Sequence, residues 1–331
     1  MSMPAEWHPQ SAIYLAWPCS DKIWSHSRPQ ILEDFAKLIS AISDFTKVKL
    51  LCEKSFQEQA KHHIGSLNNI ELIDLATDDV WCRDFGPIFV KNPKKEVHII
   101  NWDFNAWGGK FADYAKDNAI AKQIATINAI DCISPDFILE GGAIEVNGQG
   151  LAISTESVIY NTNRNPAQSR PALIDAIKEH FGVSEIIMLE GGLVNDDTDG
   201  HIDNITRFFK EDGVLTCTCD DRNPNFETLQ KNLKQLQNFE SAHEKYLEIV
   251  ELPLPDPIYL NGEILPASYA NFLISNQAVF IPEFGQTRKD LEAQEILQQC
   301  FPDKKIIPID CRLFVIEGGG IHCLSQQEIT L

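Results

Sequence analysis

Five residues spread along the chain, Asp84, Glu140, His201, Asp203 and Cys323, are of types that together can attack a positively charged carbon. A cysteine supplies the nucleophile, an imidazole moves protons, and carboxylates hold a cation. Their surroundings share a form. The stretches "WCRDFGP" (81–87), "LEGGAIEV" (139–146), "DDTDGHIDN" (196–204), "LPASYANF" (265–272) and "EGGGIHC" (317–323) are short and either polar or glycine-containing, and four of them set an ionisable residue within two places of a glycine. Glycine lets a ligand approach the main chain closely. One acid–glycine pair is noise, but four at equivalent places form a constellation.

Cys323 follows His322 directly. On a strand successive side chains face opposite ways, so an inward Cys323 must find its activating partner elsewhere. His201 is the leading candidate, because "GHIDN" sets His201 and Asp203 two apart, on one strand face, where Asp203 can orient the imidazole. Cys82 competes as nucleophile, lying two residues before Asp84. His62, His63, His180 and His243 fall in helical, charged stretches and read as solvated, while His8 and His26 lie in loops. A metal at His201 and Asp203 would leave the thiol idle among hard oxygen donors, so no metal is expected.

A thiolate among carboxylates is costly unless a cation shares the space. A guanidinium suits that space: it is planar, always charged, and offers paired N–H donors to carboxylates. Its carbon is a poor electrophile, so rigid placement against a cysteine matters. The thiolate would add to that carbon, and His201 would protonate departing ammonia. Water activated by the same histidine would then release a ureido product, with no cofactor.

Composition narrows the setting. The 331 residues are 44% hydrophobic and 23% charged, enough for a large core. Net charge is −20, which disfavours nucleic acid as a partner and suits a cationic one. The start, "MSMPAEWHPQ", lacks a basic, then apolar, leader, and no apolar run is long enough for a bilayer, so a cytoplasmic protein is expected. Nine cysteines without a CxxC pair argue against a disulfide framework or structural zinc. Cys217 and Cys219 share one strand face and read as core.

The elements that would position these residues repeat one pattern of paired strands, a helix and a further strand. It runs through 86–104, a helix at 113–129 and "FILEGG" (137–142), then 143–155, 167–181 and 185–192. The third copy covers 201–218, 225–246 and 247–255, and the fourth 266–284, 287–300 and 305–311. The start holds strands at 12–18, 48–53 and 70–75 with helices at 29–45 and 55–66, and lacks one strand, which "IHCLSQ" (321–326) can supply. Pairing the last strand with the first closes a ring of five ββαβ units and removes an exposed edge. The whole of 1–331 then forms one catalytic domain.

"MPAEWHPQSAIYLAWP", "WCRDFGP", "LEGGAIEVNG", "TDGHIDN", "LPASYANFLI" and "GGGIHCLSQQ" resemble, in order from residue 3 to about 327, the agmatine deiminases of bacteria and plants. These belong to the guanidine-modifying enzymes built as a five-bladed α/β propeller, the pentein fold. The resemblance implies Cys323 as the nucleophile of an amidino-cysteine intermediate, His201 as general acid and base, and Glu140 as the carboxylate beside it. It implies Asp84 and Asp203 as the grip on the guanidinium nitrogens, and Trp81 against the substrate's methylene chain. The distal amine is expected near Asp196, Asp197 or Thr198, with Asp197 as its carboxylate partner. Many members carry GGGN before Ile-His-Cys where this chain has "GGGIHC", a shift in the loop beside the nucleophile. A homodimer is compatible with the reading.

Three alternatives stand beside agmatine. A peptidyl-arginine enzyme of the bacterial type is exported. A free-arginine deiminase or amidinotransferase needs a cation for the α-carboxylate, for which Arg83, Arg164, Arg170 and Arg207 are available. A non-enzymatic propeller would lack the Cys, His and acid set.

Overall fold

Apolar residues at Ile88–Lys91 and Val97–Ile100 form an antiparallel pair, with Ile88 opposite Ile100, and Asp131–Ile133 then adds in parallel. Parallel addition needs a crossover, and the helix Ala115–Asn128 supplies it. The computed structural model describes residues 1–20, 23–24, 27–240 and 246–330, and repeats this arrangement along the chain. Glu145–Val146 pairs Leu151–Thr155 before Glu185–Leu189 joins in parallel. Thr206–Lys210, Gly213–Thr218 and Glu248–Pro253 form a third such sheet. Leu273–Ile274, Ala278–Glu283 and Lys305–Asp310 form a fourth.

The two chain ends build the fifth. Gln326–Ile329 runs antiparallel to Gln10–Ala16, with Tyr14 opposite Gln326, and Val48–Leu51 and Ile70–Ile73 follow in parallel. The expected union of last and first strands is therefore present. A small hairpin, Tyr259–Leu260 with Glu263–Ile264, stands outside the repeat. The sheets stay separate and none among the described residues closes on itself, giving a mixed α/β fold.

Local chemistry explains the helix bounds. Ser169 accepts a hydrogen bond from the Ala172 N–H, Pro171 sits in the first turn, and Gly182 ends the helix Arg170–Phe181 in the left-handed region at φ 67°. That cap moves the start to Arg170 from the expected 167. Leu173, Ala176, Ile177 and Phe181 form its buried stripe, each worth about 1.5–3 kcal/mol for the large side chains. Thr287–Cys300 matches its expected bounds. The helix expected at 225–246 is Phe226–Gln237, and His243 and His26 lie outside the described residues.

Two expected strands are corrected. "FILEGG" (137–142) does not pair along a sheet: Asp131–Ile133 takes the edge, and Ile138 makes only a lone bridge to Asp103. In "IHCLSQ" the residues Ile321–Leu324 form a helical turn, and pairing starts at Gln326. No helix among the described residues is long and apolar enough to cross a membrane. All nine cysteines are free thiols, and Cys217 is core as expected.

Candidate active site

Each acid–glycine stretch folds into a single tight turn just before a strand. Asp84 lies in the turn Cys82–Phe85, Glu140 precedes the 3-10 turn Gly141–Ala143, and Cys323 lies in Ile321–Leu324. His201 precedes the 3-10 turn Ile202–Asn204, which holds Asp203. The expected strand geometry is thus replaced by turns at every one of these positions. Such turns leave main-chain groups and acidic side chains directed to one side, which strand alternation would not.

The turns bring the expected residues together. Cys323 Sγ lies 3.6 Å from Asp203 Oδ2 and receives a hydrogen bond from Asn271 Nδ2 at 3.0 Å. Asn271 Oδ1 accepts from the main-chain N–H groups of His322 and Cys323, at 3.0 and 3.2 Å, so one amide fixes both the turn and the sulfur. Burial, then Asp203 and Asp84, push the Cys323 thiol well above its ordinary range. The resting group is a protonated thiol.

His201 is fully buried, with Nδ1 3.5 Å from Asp84 Oδ1, and neither ring nitrogen has a hydrogen-bond partner among the described residues. Burial pulls its pKa down, but Asp84, Glu140, Asp203 and Asp196 together hold it above its ordinary value. Asp84 accepts from Trp107 Nε1 at 2.9 Å and from the Gly142 N–H at 3.1 Å. Burial raises Asp84 to about 6, with His201 opposing and Asp203 assisting. Gly142 marks where the three meet: a Cβ there would lie 2.6 Å from His201 Nδ1, 2.7 Å from Asp84 Oδ1 and 3.2 Å from Asp203 Oδ2. Only glycine leaves that point open.

Glu140 is buried and accepts from Arg164 Nε at 2.9 Å through one oxygen, leaving Oε2 without a partner among the described residues. Arg164 is held in turn by Asp199, by the Thr198 carbonyl at 2.9 Å and by Asn163 at 2.8 Å. A buried carboxylate pinned on one side keeps its other oxygen for a donor from outside.

Cys323 and Asp84 line a cavity of about 680 Å³, together with Trp81, Trp107 and Phe111. Glu53, Asp78, Asp79, Asp113, Asp197 and Glu317 also line it, with Lys116 the single cationic side chain among the lining residues. Lys116 lies 3.6 Å from Asp78. The lining is strongly acidic and includes the thiol, whereas His201, Asp203 and Glu140 are not among the lining residues. Trp81 is nearly buried and lies against Gly319, where a Cβ would meet its ring at 2.3 Å. That contact accounts for one of the glycines ahead of the cysteine.

Several expectations divide here. Asp197 and Thr198 line the cavity, whereas Asp196 is buried and turned to Thr198. Cys82 faces the core, and burial pushes its thiol well up, so it does not compete at the cavity. The arginines available for an α-carboxylate are committed: Arg83 to Gln327, Arg164 to Glu140 and Asp199, Arg207 to Glu145 and Glu6, and Arg170 over the Tyr160 ring.

The sequence gives no role at this site to Asn271, Trp107, His322 or Glu6, and offers Arg164 only as a cation for an α-carboxylate. "LPASYANF" held the position of Asn271, but as the one stretch without an acid–glycine pair it drew no assignment. Trp107 and Ala106 both adopt left-handed backbone, φ 52° and 54°, a strained geometry that aims the indole at Asp84.

Over residues 2–328 the sequence matches the family model described as Porphyromonas-type peptidyl-arginine deiminase. The chain belongs to that family. A relative from Ectopseudomonas mendocina (strain ymp), an agmatine deiminase, is 35% identical across 98% of this chain and 95% of its own. The solved agmatine deiminase of Enterococcus faecalis superposes with a TM-score of 0.92 at 30% identity, covering 99% of this chain and 95% of that one. A C. jejuni agmatine deiminase solved with substrate bound gives a TM-score of 0.91 at 31% identity, covering 99% and 96%.

Proposed function

We propose that this chain is an agmatine deiminase, converting agmatine and water to N-carbamoylputrescine and ammonia. The observation that carries the reading is the meeting of Asp84, His201 and Asp203 around Gly142, with Cys323 Sγ 3.6 Å from Asp203, where Asp84 and Cys323 line an acidic cavity. An array of carboxylates around a protonated thiol awaits a planar cation.

In the proposed sequence Asp84 and Asp203 grip the guanidinium nitrogens, and the free oxygen of Glu140 takes a further N–H. The arriving charge offsets the acids, and the Cys323 proton leaves to solvent. The sulfur adds to the guanidinium carbon, giving a neutral tetrahedral adduct. His201 gives its proton to one nitrogen, which departs as ammonia, and an amidino-cysteine remains. Water loses a proton to His201 and adds as hydroxide to the same carbon. The C–S bond then breaks, the hydroxyl proton passes to sulfur, and the ureido product leaves with the enzyme restored.

The substrate's tail is read from the walls. Trp81 and Trp107 suit a methylene chain, while Asp197 with the other acids of the mouth suits a terminal amine. A free α-carboxylate would meet acids with no uncommitted arginine among the four considered. No cofactor takes part in this sequence. We further infer a five-bladed propeller formed by the five sheets that share one order, as a single catalytic domain over 1–331. Nine free thiols suit a cytoplasmic setting, and a homodimer is the proposed assembly.

The test offers agmatine, free arginine and a blocked arginine peptide, and measures ammonia and ureido product. Preference for agmatine is expected. Predominant turnover of the peptide would instead favour the activity that gives the family its description.

A further inference from the structure

Next to the thiol lies a buried group of charges of which the proposed mechanism uses only Asp203. His322 Nδ1 is 2.7 Å from Asp203 Oδ2, and His322 Nε2 is 2.7 Å from Glu6 Oε2. Ionised carboxylates only accept, so both bonds are made when each ring nitrogen carries a hydrogen. Glu6 also accepts from Arg207 Nη2 at 2.7 Å and from the Ile274 N–H at 2.6 Å, and stands 3.9 Å from Arg83. Arg207 donates to Glu145 at 2.7 Å. The acids Glu6, Glu145 and Asp203 thus face Arg83, Arg207 and His322.

We propose that His322 is a positioning residue, an imidazolium clamped between Glu6 and Asp203 that keeps Asp203 an anion aimed at the sulfur and at the incoming guanidinium. The N-terminal segment carrying Glu6 is thereby part of the site's foundation. Asp203 Oδ1 has no partner among the described residues, so the clamp spends one oxygen and leaves the other for the ligand. Burial opposes ionisation of Asp203, and the hydrogen bond and charge of His322, then His201 and Arg207, hold it below the usual carboxylate range. Asp84 and the Cys323 thiol complete the groups in reach of Asp203.

The proposal rests on the deiminase reading, and its test separates the two. kcat/KM is followed from about pH 5 to about pH 9, where it reports groups of the free enzyme, using whichever guanidino substrate the native chain turns over. Failure of the functional reading shows in the native enzyme alone, as a different preferred substrate. His322→Gln keeps one donor and removes the charge. It should lower kcat/KM far more at acid than at alkaline pH, and its acid limb should move up by about one pH unit and steepen from one proton to two. Glu6→Gln should move the limb in the same direction by less. If His322→Gln proves insoluble, the Glu6→Gln limb decides. A loss of equal size at every pH, or unchanged kinetics, would reduce His322 to a structural role and overturn the proposal.

Discussion

His201 Nδ1 stands 3.5 Å from Asp84 Oδ1, and a methyl group on residue 142 would press on both atoms at once. The two side chains come from stretches 117 residues apart (201 − 84) and meet over a glycine supplied by a third. Gly142→Ala should therefore leave a soluble, folded protein whose kcat/KM falls by about 100-fold or more, since small displacements at a reacting centre cost that much. Steady-state kinetics beside circular dichroism check it; native activity would mean the three groups need not converge.

Asp84 sets the acid side of the native pH profile. Burial raises it to about 6, and only its ionised form grips a cation. kcat/KM should fall as pH drops through that value, approaching one decade per unit. A plateau maintained well below pH 6 would reject Asp84 as part of the grip.

The same shift makes a stability statement of opposite sense. An acid whose folded pKa is raised above its unfolded value carries no penalty below the unfolded value and the full penalty above the folded one. From 3.8 to about 6 the penalty is roughly 3 kcal/mol. Asp84→Asn removes it but forfeits one of two accepted hydrogen bonds, about 1 kcal/mol. The variant should be inactive yet more stable by roughly 2 kcal/mol at neutral pH, with the gain vanishing below about pH 4. Thermal unfolding at both pH values measures this.

Arg164 holds Glu140 from behind. Arg164→Met leaves that carboxylate buried with no cation, a loss of about 3–5 kcal/mol in stability. Chemical denaturation should show it, and a soluble fraction should retain the thiol but bind substrate weakly. Arg164→Lys should recover only part, because an ammonium cannot match the forked donors.

Dialysis against a chelator should leave activity unchanged. The one cluster of metal-ligating type among the described residues, Glu6, Glu145 and His322, already faces Arg207. Activity lost to the chelator and restored by zinc would contradict the proposed chemistry.

The sequence carried the repeat and most of the site because both are written in local signals. The stripe of Thr287–Cys300 and the hairpin at Leu151–Thr155 follow from periodicity and an Asn-Gly turn. The conformation of the site stretches was not legible: turns of three or four residues have no period, so they read as strand starts. Partners were hidden by distance along the chain. Glu6 meets His322 across 316 residues, and Arg164 reaches Glu140 across 24 residues of intervening strands and loop. Trp107 depends on two strained residues that propensity alone would disfavour.

The most direct measurement is to quench the enzyme in acid during turnover of agmatine and map the covalent adduct by mass spectrometry. An amidino group on Cys323, absent in Cys323→Ser together with at least a ~1000-fold loss of kcat, is the predicted result. An adduct on Cys82, or sustained turnover by the serine variant, would contradict it.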